Sequence, residues 1–194
     1  MKDKILMVVF VLVLGSILTG VLVAVNFYTA PVIERNEEIR QKSSVLQAFA
    51  IPYTPGRVEE VFARNVEVQR QNGKTYYVGR DGDIAFPYTG SGLWGPIEGI
   101  VAIKPDFQTL TGVTVIQQEE TPGLGGRIAG KPFLSEFEGK RFVPKLELVP
   151  AGRSRADNQI DSITGATLTS NAFIAILNEN LEEYVPVIER GERK

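Results

Sequence analysis

The sequence predicts an α+β domain with a mainly antiparallel sheet, set behind one N-terminal transmembrane helix. Three observations predict it. Ile5 to Val25 is a long run without a charge, alternating strand-like segments follow between turn signals, and the chain closes on large apolar residues at helical spacing. Strands first and a helix last are the pattern of a sheet covered by a segregated helix rather than of alternating βαβ units.

The first element is the apolar run itself, interrupted only by Gly15, Ser16, Thr19 and Gly20. At about 1.5 Å per residue such a helix spans roughly 30 Å, the hydrocarbon thickness of a bilayer. A cleavable signal peptide has only about 7–15 apolar residues before a small-residue cleavage site. Here Asn26, Phe27 and Tyr28 follow, in the manner of an interfacial belt. A buried core helix is the competing reading. Residues 1–28 are therefore expected to be the anchor. Lys2 and Lys4, with the amino terminus, stand against Arg35, Arg40 and Lys42 beyond the run, which gives a preference for the N-terminus inside. Residues 29–48 are expected to continue as a helical stalk, with Ile33, Ile39, Val45 and Leu46 toward one side and the charges solvated.

Residues 49–194 remain for one core. Val66 to Arg70 alternates, Asn72-Gly73 is a type I′ hairpin turn, and Thr75 to Val78 returns. A second pair is expected at Gly99 to Ile103 and Thr111 to Ile116, and a further strand at Arg141 to Val149. Glycine loops separate these elements at Thr89 to Gly95 and Thr121 to Gly130. From Ser170 through Phe173, Leu177, Leu181, Tyr184 and Ile188 the spacing predicts an amphipathic helix, with Gly191 as its stop and a frayed charged tail to Lys194.

Composition narrows the chemistry. The 194 residues carry 21 Lys+Arg and 23 Asp+Glu, a formal net charge of −2, and neither Cys nor His. The balance makes no electrostatic case for nucleic acid. The double absence removes zinc sites built on Cys or His, thiolate iron–sulfur ligation, the Ser-His-Asp triad and every cysteine nucleophile. No metal site is expected and no catalytic residue stands out. Redox chemistry on this chain requires an organic cofactor.

Two loops have compositions that are costly for structure alone. In Glu119 to Arg127, the glycines at 123, 125 and 126 let backbone amides approach a bound group, although the same composition serves an ordinary connection. Glu119 and Glu120 are a poor acid/base pair, because neighbours on an extended segment point to opposite faces. In Asp161 to Ser170, small residues precede the C-terminal helix. The converging N–H groups and the helix dipole make a phosphate seat, while Thr167, Thr169 or Ser170 could equally be a plain N-cap.

Asp161-x-x-Thr164-Gly165-Ala166-Thr167 resembles the site at which a flavin transferase attaches FMN through a phosphoester to the last threonine. Glu120-Thr121-Pro122-Gly123-Leu124-Gly125 resembles the second signature of the same family, the FMN-binding domain of the G subunit of Rnf complexes and of the C subunit of the sodium-pumping NADH:quinone reductase. Gly92-Leu93-Trp94-x-x-x-x-Gly99 is similar to a third stretch, more typical of the C-subunit branch. The likeness covers nearly the whole chain, including the single span. The compact length favours the Rnf G subunit; the Leu93-Trp94 stretch argues for its relative.

The resemblance implies a membrane-anchored flavoprotein with covalent FMN on Thr167, a phosphoprotein in that sense. It would be a relay subunit of a translocase in which electron transfer between ferredoxin and NAD is coupled to Na⁺ or H⁺ transport. Alone it would turn over no substrate. The domain would lie on the extracytoplasmic side of the inner (cytoplasmic) membrane, with the other Rnf membrane subunits as partners and the flavin transferase for maturation. The C subunit of the reductase is the alternative, and an anchored non-flavin binding or assembly module is the alternative of another class. Thr164, Gly165 and Ala166 are expected at the phosphate, and Glu120, Thr121, Gly123, Leu124 and Trp94 around the ring, although a lone tryptophan is more often core. Arg127, Arg153 and Arg155 either approach the phosphate or are solvated loop charges. Asp161 is read by the attaching enzyme or is a turn residue. Ring attachment usually uses His, Cys or Tyr, and the first two are missing here. A hydroxyl joined to the phosphate is the natural link, and a diester carries less charge to desolvate.

Overall fold

The computed structural model describes residues 2–192, in two compact units that divide between Ile39 and Arg40. The first unit is helical, being most of α1 (Lys2–Ala48). Its apolar side chains from Ile5 to Val25 are exposed, and the stretch is long and apolar enough to cross a membrane once.

The second unit takes in the end of α1, where Val45, Leu46 and Ala48 are buried. After α2 (Val58–Asn65) come β1 (Val66–Gln71), β2 (Lys74–Gly79), β3 (Ile84–Ser91), β4 (Pro96–Ile103) and β5 (Leu110–Gln117). They pair in sequence order, every neighbour antiparallel. Asn72 and Gly73 both take positive φ, 48° and 79°, as the expected type I′ turn requires. The short α3 (Lys131–Leu134) follows, then β6 (Glu147–Val149) and β7 (Gln159–Asp161), a small parallel pair. Last comes α4 (Thr167–Glu192).

The expected fold class holds: an antiparallel sheet with a C-terminal helix packed on it. Phe86 on β3 stacks on Tyr184 of α4 with ring centroids 4.6 Å apart, and Tyr88 meets Phe173 edge-on at 5.8 Å. Alternation turns Ala85, Ile100 and Ala102 to the opposite face, also buried. Both faces of β4 are covered, so Ile100 to Ile103 reads as a continuous apolar run.

Three expectations change. The glycine loop expected at Thr89 to Gly95 is strand as far as Ser91. Gly90 serves close helix–sheet packing, since a Cβ there would lie 2.5 Å from Ile176 Cγ1 on α4. Of the strand expected at Arg141 to Val149 only β6 is extended, while Arg141 makes an isolated bridge to Thr109. Gly191 does not stop α4, which runs on to Glu192; an added Cβ there would collide with the Gln71 side chain on β1, so the glycine again marks close approach. Of the charged tail, Arg193 and Lys194 lie outside the described residues.

Candidate functional site

Three segments far apart in sequence meet at the start of α4. The first is the turn leaving β3, closed by Gly92 N–H donating to Gly95 O at 2.8 Å. It presents Leu93 and Trp94 outward. Trp94 is 72% exposed, so the single tryptophan is a surface residue and not core.

The second segment follows β5. The N–H groups of Leu124 and Gly126 both donate to Thr121 O, at 3.1 and 3.0 Å, and a 3-10 turn continues from Gly125 to Ala129. Glu119 is exposed and Glu120 is buried, as opposite faces of an extended segment demand. Glu120 Oε1 accepts from Leu93 N–H at 2.7 Å and Trp94 N–H at 3.0 Å, and Oε2 accepts from the Thr169 hydroxyl at 2.7 Å.

The third segment begins α4. Gly165 has φ of 83°, the left-handed region that favours glycine, and the turn brings Ala166 N–H onto Ile163 O at 2.9 Å. The Ser170 hydroxyl holds the loop from inside, accepting from Ile163 N–H at 3.2 Å and donating to Ala166 O at 3.0 Å. Thr169 is taken by Glu120. That leaves Thr167, the first residue of the helix, exposed and without a hydrogen-bond partner for its hydroxyl among the described residues. It stands where the helix dipole contributes about half a positive charge.

Trp94, Glu120, Thr121, Leu124, Gly165, Ala166 and Thr167, all expected at a site, line one cleft of about 360 Å³ together with Leu93, Gly125, Leu168 and Thr169. The size is within the range of small-molecule sites, roughly 300–1,000 Å³. Thr164 instead lines a neighbouring cleft, and Gly123 sits in the Thr121 turn outside both linings. Leu168 was legible in principle as an apolar residue on the outward phase of the last helix. Thr169 was legible in the same way as an inward residue, standing four and eight residues before Phe173 and Leu177 of the core face.

The neighbouring cleft, about 390 Å³, is lined by Arg127, Glu136, Asp161 and Thr164 among others. Arg127 donates to Thr164 O at 3.2 Å. Asp161 accepts from the N–H groups of Arg153 and Ser154 at 2.9 and 2.8 Å, which makes it the pin of that turn. Burial pushes its carboxyl up, but the backbone N–H groups of Ser154, Arg153 and Gly152 prevail and hold it below the ordinary range. Glu136, whose carboxylate accepts Asp161 N–H at 2.9 Å, is raised chiefly by burial. The side chains of Arg153 and Arg155 are exposed. Among the described residues no cluster of acidic side chains could hold a metal ion.

Residues 92–182 match the family model of the FMN-binding domain. The FMN-binding match thus takes in all three segments of the cleft. The chain is 36% identical over 121 residues to the C subunit of the Na(+)-translocating NADH-quinone reductase of Neisseria meningitidis serogroup A, covering 58% of this chain and 46% of the relative. It is 33% identical over 114 residues to the C subunit of the same reductase from Vibrio anguillarum, covering 54% and 45%. The matches therefore span about half the length of these curated relatives. Among solved structures, the reductase's C subunit from Parabacteroides distasonis superposes with a TM-score of 0.67 at 25% identity, over 79% of this chain and 94% of that one. NqrC from Shewanella oneidensis gives 0.65 at 20% identity, over 75% and 91%, and shares the fold.

Proposed function

We propose that this chain is a membrane-anchored electron-transfer subunit that carries FMN through a phosphoester on Thr167. The observation that carries the reading is the convergence of the three segments on one cleft with the Thr167 hydroxyl left exposed at the head of α4. The residues present fit the group. Leu93, Trp94, Leu124 and Leu168 offer exposed apolar surface for a flat ring, and the helix N-terminus with its small-residue approach suits a phosphate. Gly125 lets the two walls close on each other, because a Cβ there would lie 2.6 Å from Thr169 Oγ1.

FMN supplies one- and two-electron chemistry when bound. The chain's own work is to hold it: Thr167 as the point of attachment, Gly165 and Ala166 shaping the backbone before it, Trp94 and Leu124 flanking the ring. α1 would be the single-pass anchor, with the domain on the extracytoplasmic side. Partners would be the other membrane subunits of an ion-translocating oxidoreductase, with a flavin transferase acting once in maturation. The relatives' names and the Leu93-Trp94 stretch support the C subunit of a Na⁺-translocating NADH:quinone reductase. The second reading is the G subunit of an Rnf complex, which the threonine and Glu-Thr-Pro-Gly signatures shared by both branches support equally.

The test is to produce the full chain in a host that has the transferase, denature it, and image the gel band for flavin fluorescence. A fluorescent band that disappears in Thr167→Ala is expected. Fluorescence lost from the wild-type band on denaturation sinks the covalent link, and a fluorescent Thr167→Ala band relocates it. Absence of flavin from the native protein favours the non-flavin binding module. Deleting the chain from its host separates the complexes: membranes lose either NADH-dependent quinone reduction or ferredoxin-dependent NAD reduction.

A further inference from the structure

We propose that Glu120 is a positioning residue: its buried carboxylate locks the Leu93-Trp94 turn onto the N-terminus of α4 and so sets the spacing of the two walls between which the flavin would lie. The functional consequence rests on the FMN reading; the clamp itself does not.

The geometry is that of a keystone. Glu120 is 3% exposed, and its two oxygens are divided between the walls, Oε1 to the N–H groups of Leu93 and Trp94 and Oε2 to the Thr169 hydroxyl. A carboxylate is an acceptor only, and all three partners are donors, so no group in the cluster is mismatched. Its own backbone is fixed from behind, Glu120 N–H donating to Gln118 Oε1 at 2.6 Å. Room for the carboxylate is made by glycines from two of the three segments. A Cβ on Gly92 would lie 2.5 Å from Oε1, and one on Gly125 would lie 2.7 Å from Oε2.

Otherwise the turn is held at its base, where Ser91 of β3 pairs with Pro96 of β4. Leu93 and Trp94 project into solvent, so core packing does not orient them, and the Gly92–Gly95 hydrogen bond lies within the turn itself. Thr169 and Ser170 are buried at the head of a helix whose Phe173 and Leu177 are fully enclosed. Glu120 therefore ties a turn with exposed side chains to one of the most firmly packed elements of the domain. Removing one partner of a buried hydrogen-bonded set costs more than the bond itself, about 1–3 kcal/mol, because the remaining groups are left unsatisfied. Glu120 acts through Trp94 and the α4 N-terminus, and it need not touch the ring.

Trp94, the only tryptophan, reports on the clamp without any flavin. Time-resolved fluorescence anisotropy of the full chain in detergent, produced without the transferase, should show loss of most of the residual Trp94 anisotropy in Glu120→Ala. Glu120→Gln should restore it, since the amide oxygen still accepts from Leu93 and Trp94 and the amide nitrogen can donate to the Thr169 oxygen. Thr169→Val, cutting only the tie to α4, should lower it as well, and this variant carries the test if Glu120→Ala loses its far-UV helix signal. Unchanged anisotropy in a folded Glu120→Ala, or in Thr169→Val when it stands in, overturns the proposal. So does equal loss in Gln and Ala. In the flavinylated chain, Glu120→Ala should retain the Thr167-linked flavin but shift its absorption and midpoint potential, with Glu120→Gln nearer wild type; an unshifted potential overturns the flavin consequence. If the anisotropy behaves as expected while the wild type never takes up flavin, the clamp stands and the FMN reading falls.

Discussion

Two clefts of similar size, about 360 and 390 Å³, take successive parts of one segment as a wall, Gly165 to Thr169 for the first and Asp161 to Thr164 for the second, and differ in what faces it. On one side the rim is exposed and apolar, with Leu93, Trp94, Leu124 and Leu168, and the one deeply placed charge, Glu120, is fully engaged by donors. On the other side Arg127, Glu136 and Asp161 line the space, and their hydrogen bonds run to backbone groups of the turn. A flat apolar ring with a charged tail is served by the first and not by the second. Volume does not separate them; the division between spent and unspent polar groups does. Around Thr167 a hydroxyl and a helix terminus are left over, whereas around Asp161 the carboxylate already holds its own loop.

The difference can be broken most decisively at the threonines. Thr167→Ala is expected to remove all covalently held flavin from a denatured band, while Thr164→Ala, on the other cleft, should leave it. Next come paired glycine substitutions. Gly125→Ala puts a Cβ 2.6 Å from Thr169 Oγ1 and 2.7 Å from Glu120 Oε2, and should cost about 1–3 kcal/mol in urea unfolding with loss of flavin uptake. Gly152→Ala meets no neighbour but must adopt φ of 74°, so about 1–2 kcal/mol should go while flavin uptake is kept.

A smaller effect is expected from protons. Asp161 is depressed in the fold, so its contribution is present at neutral pH and lost as pH falls through its folded value. Glu136 is raised, so its folded form binds the proton more tightly, and stability from that group declines as pH rises through the carboxylate range. Urea midpoints across the acid range should fall less steeply toward low pH in Asp161→Asn than in wild type, and more steeply in Glu136→Gln. Smallest of all, Trp94→Ala should change stability by no more than about 0.5 kcal/mol, as exposed residues do. It should nonetheless raise flavin emission by removing the neighbouring indole.

The parts that were legible in the sequence are those ruled by local periodicity. The β1–β2 hairpin follows from alternation and an Asn-Gly turn, and α4 from apolar spacing. Glycine misled where it served packing across elements: Gly90 lies under Ile176 and Gly191 under Gln71, and neither partner is near in sequence. Parallel pairing of β6 with β7 is likewise non-local, and three-residue strands have no period to read. At the site, the motifs located the cleft but not the division of labour within it. Glu120, expected beside a ring, is enclosed by donors from residues 93, 94 and 169, a relation that only the folded backbone creates.

Thr167 opens the same helix that carries Phe173 and Leu177 into the centre of the core. Opening of such an element requires unfolding of the whole unit, whereas the Leu93-Trp94 turn is released once its hydrogen bonds to Glu120 break. A protease acting on the native protein should therefore nick the exposed turn before it cuts α4, and any group esterified to Thr167 would stay with the C-terminal fragment, still seated on its helix.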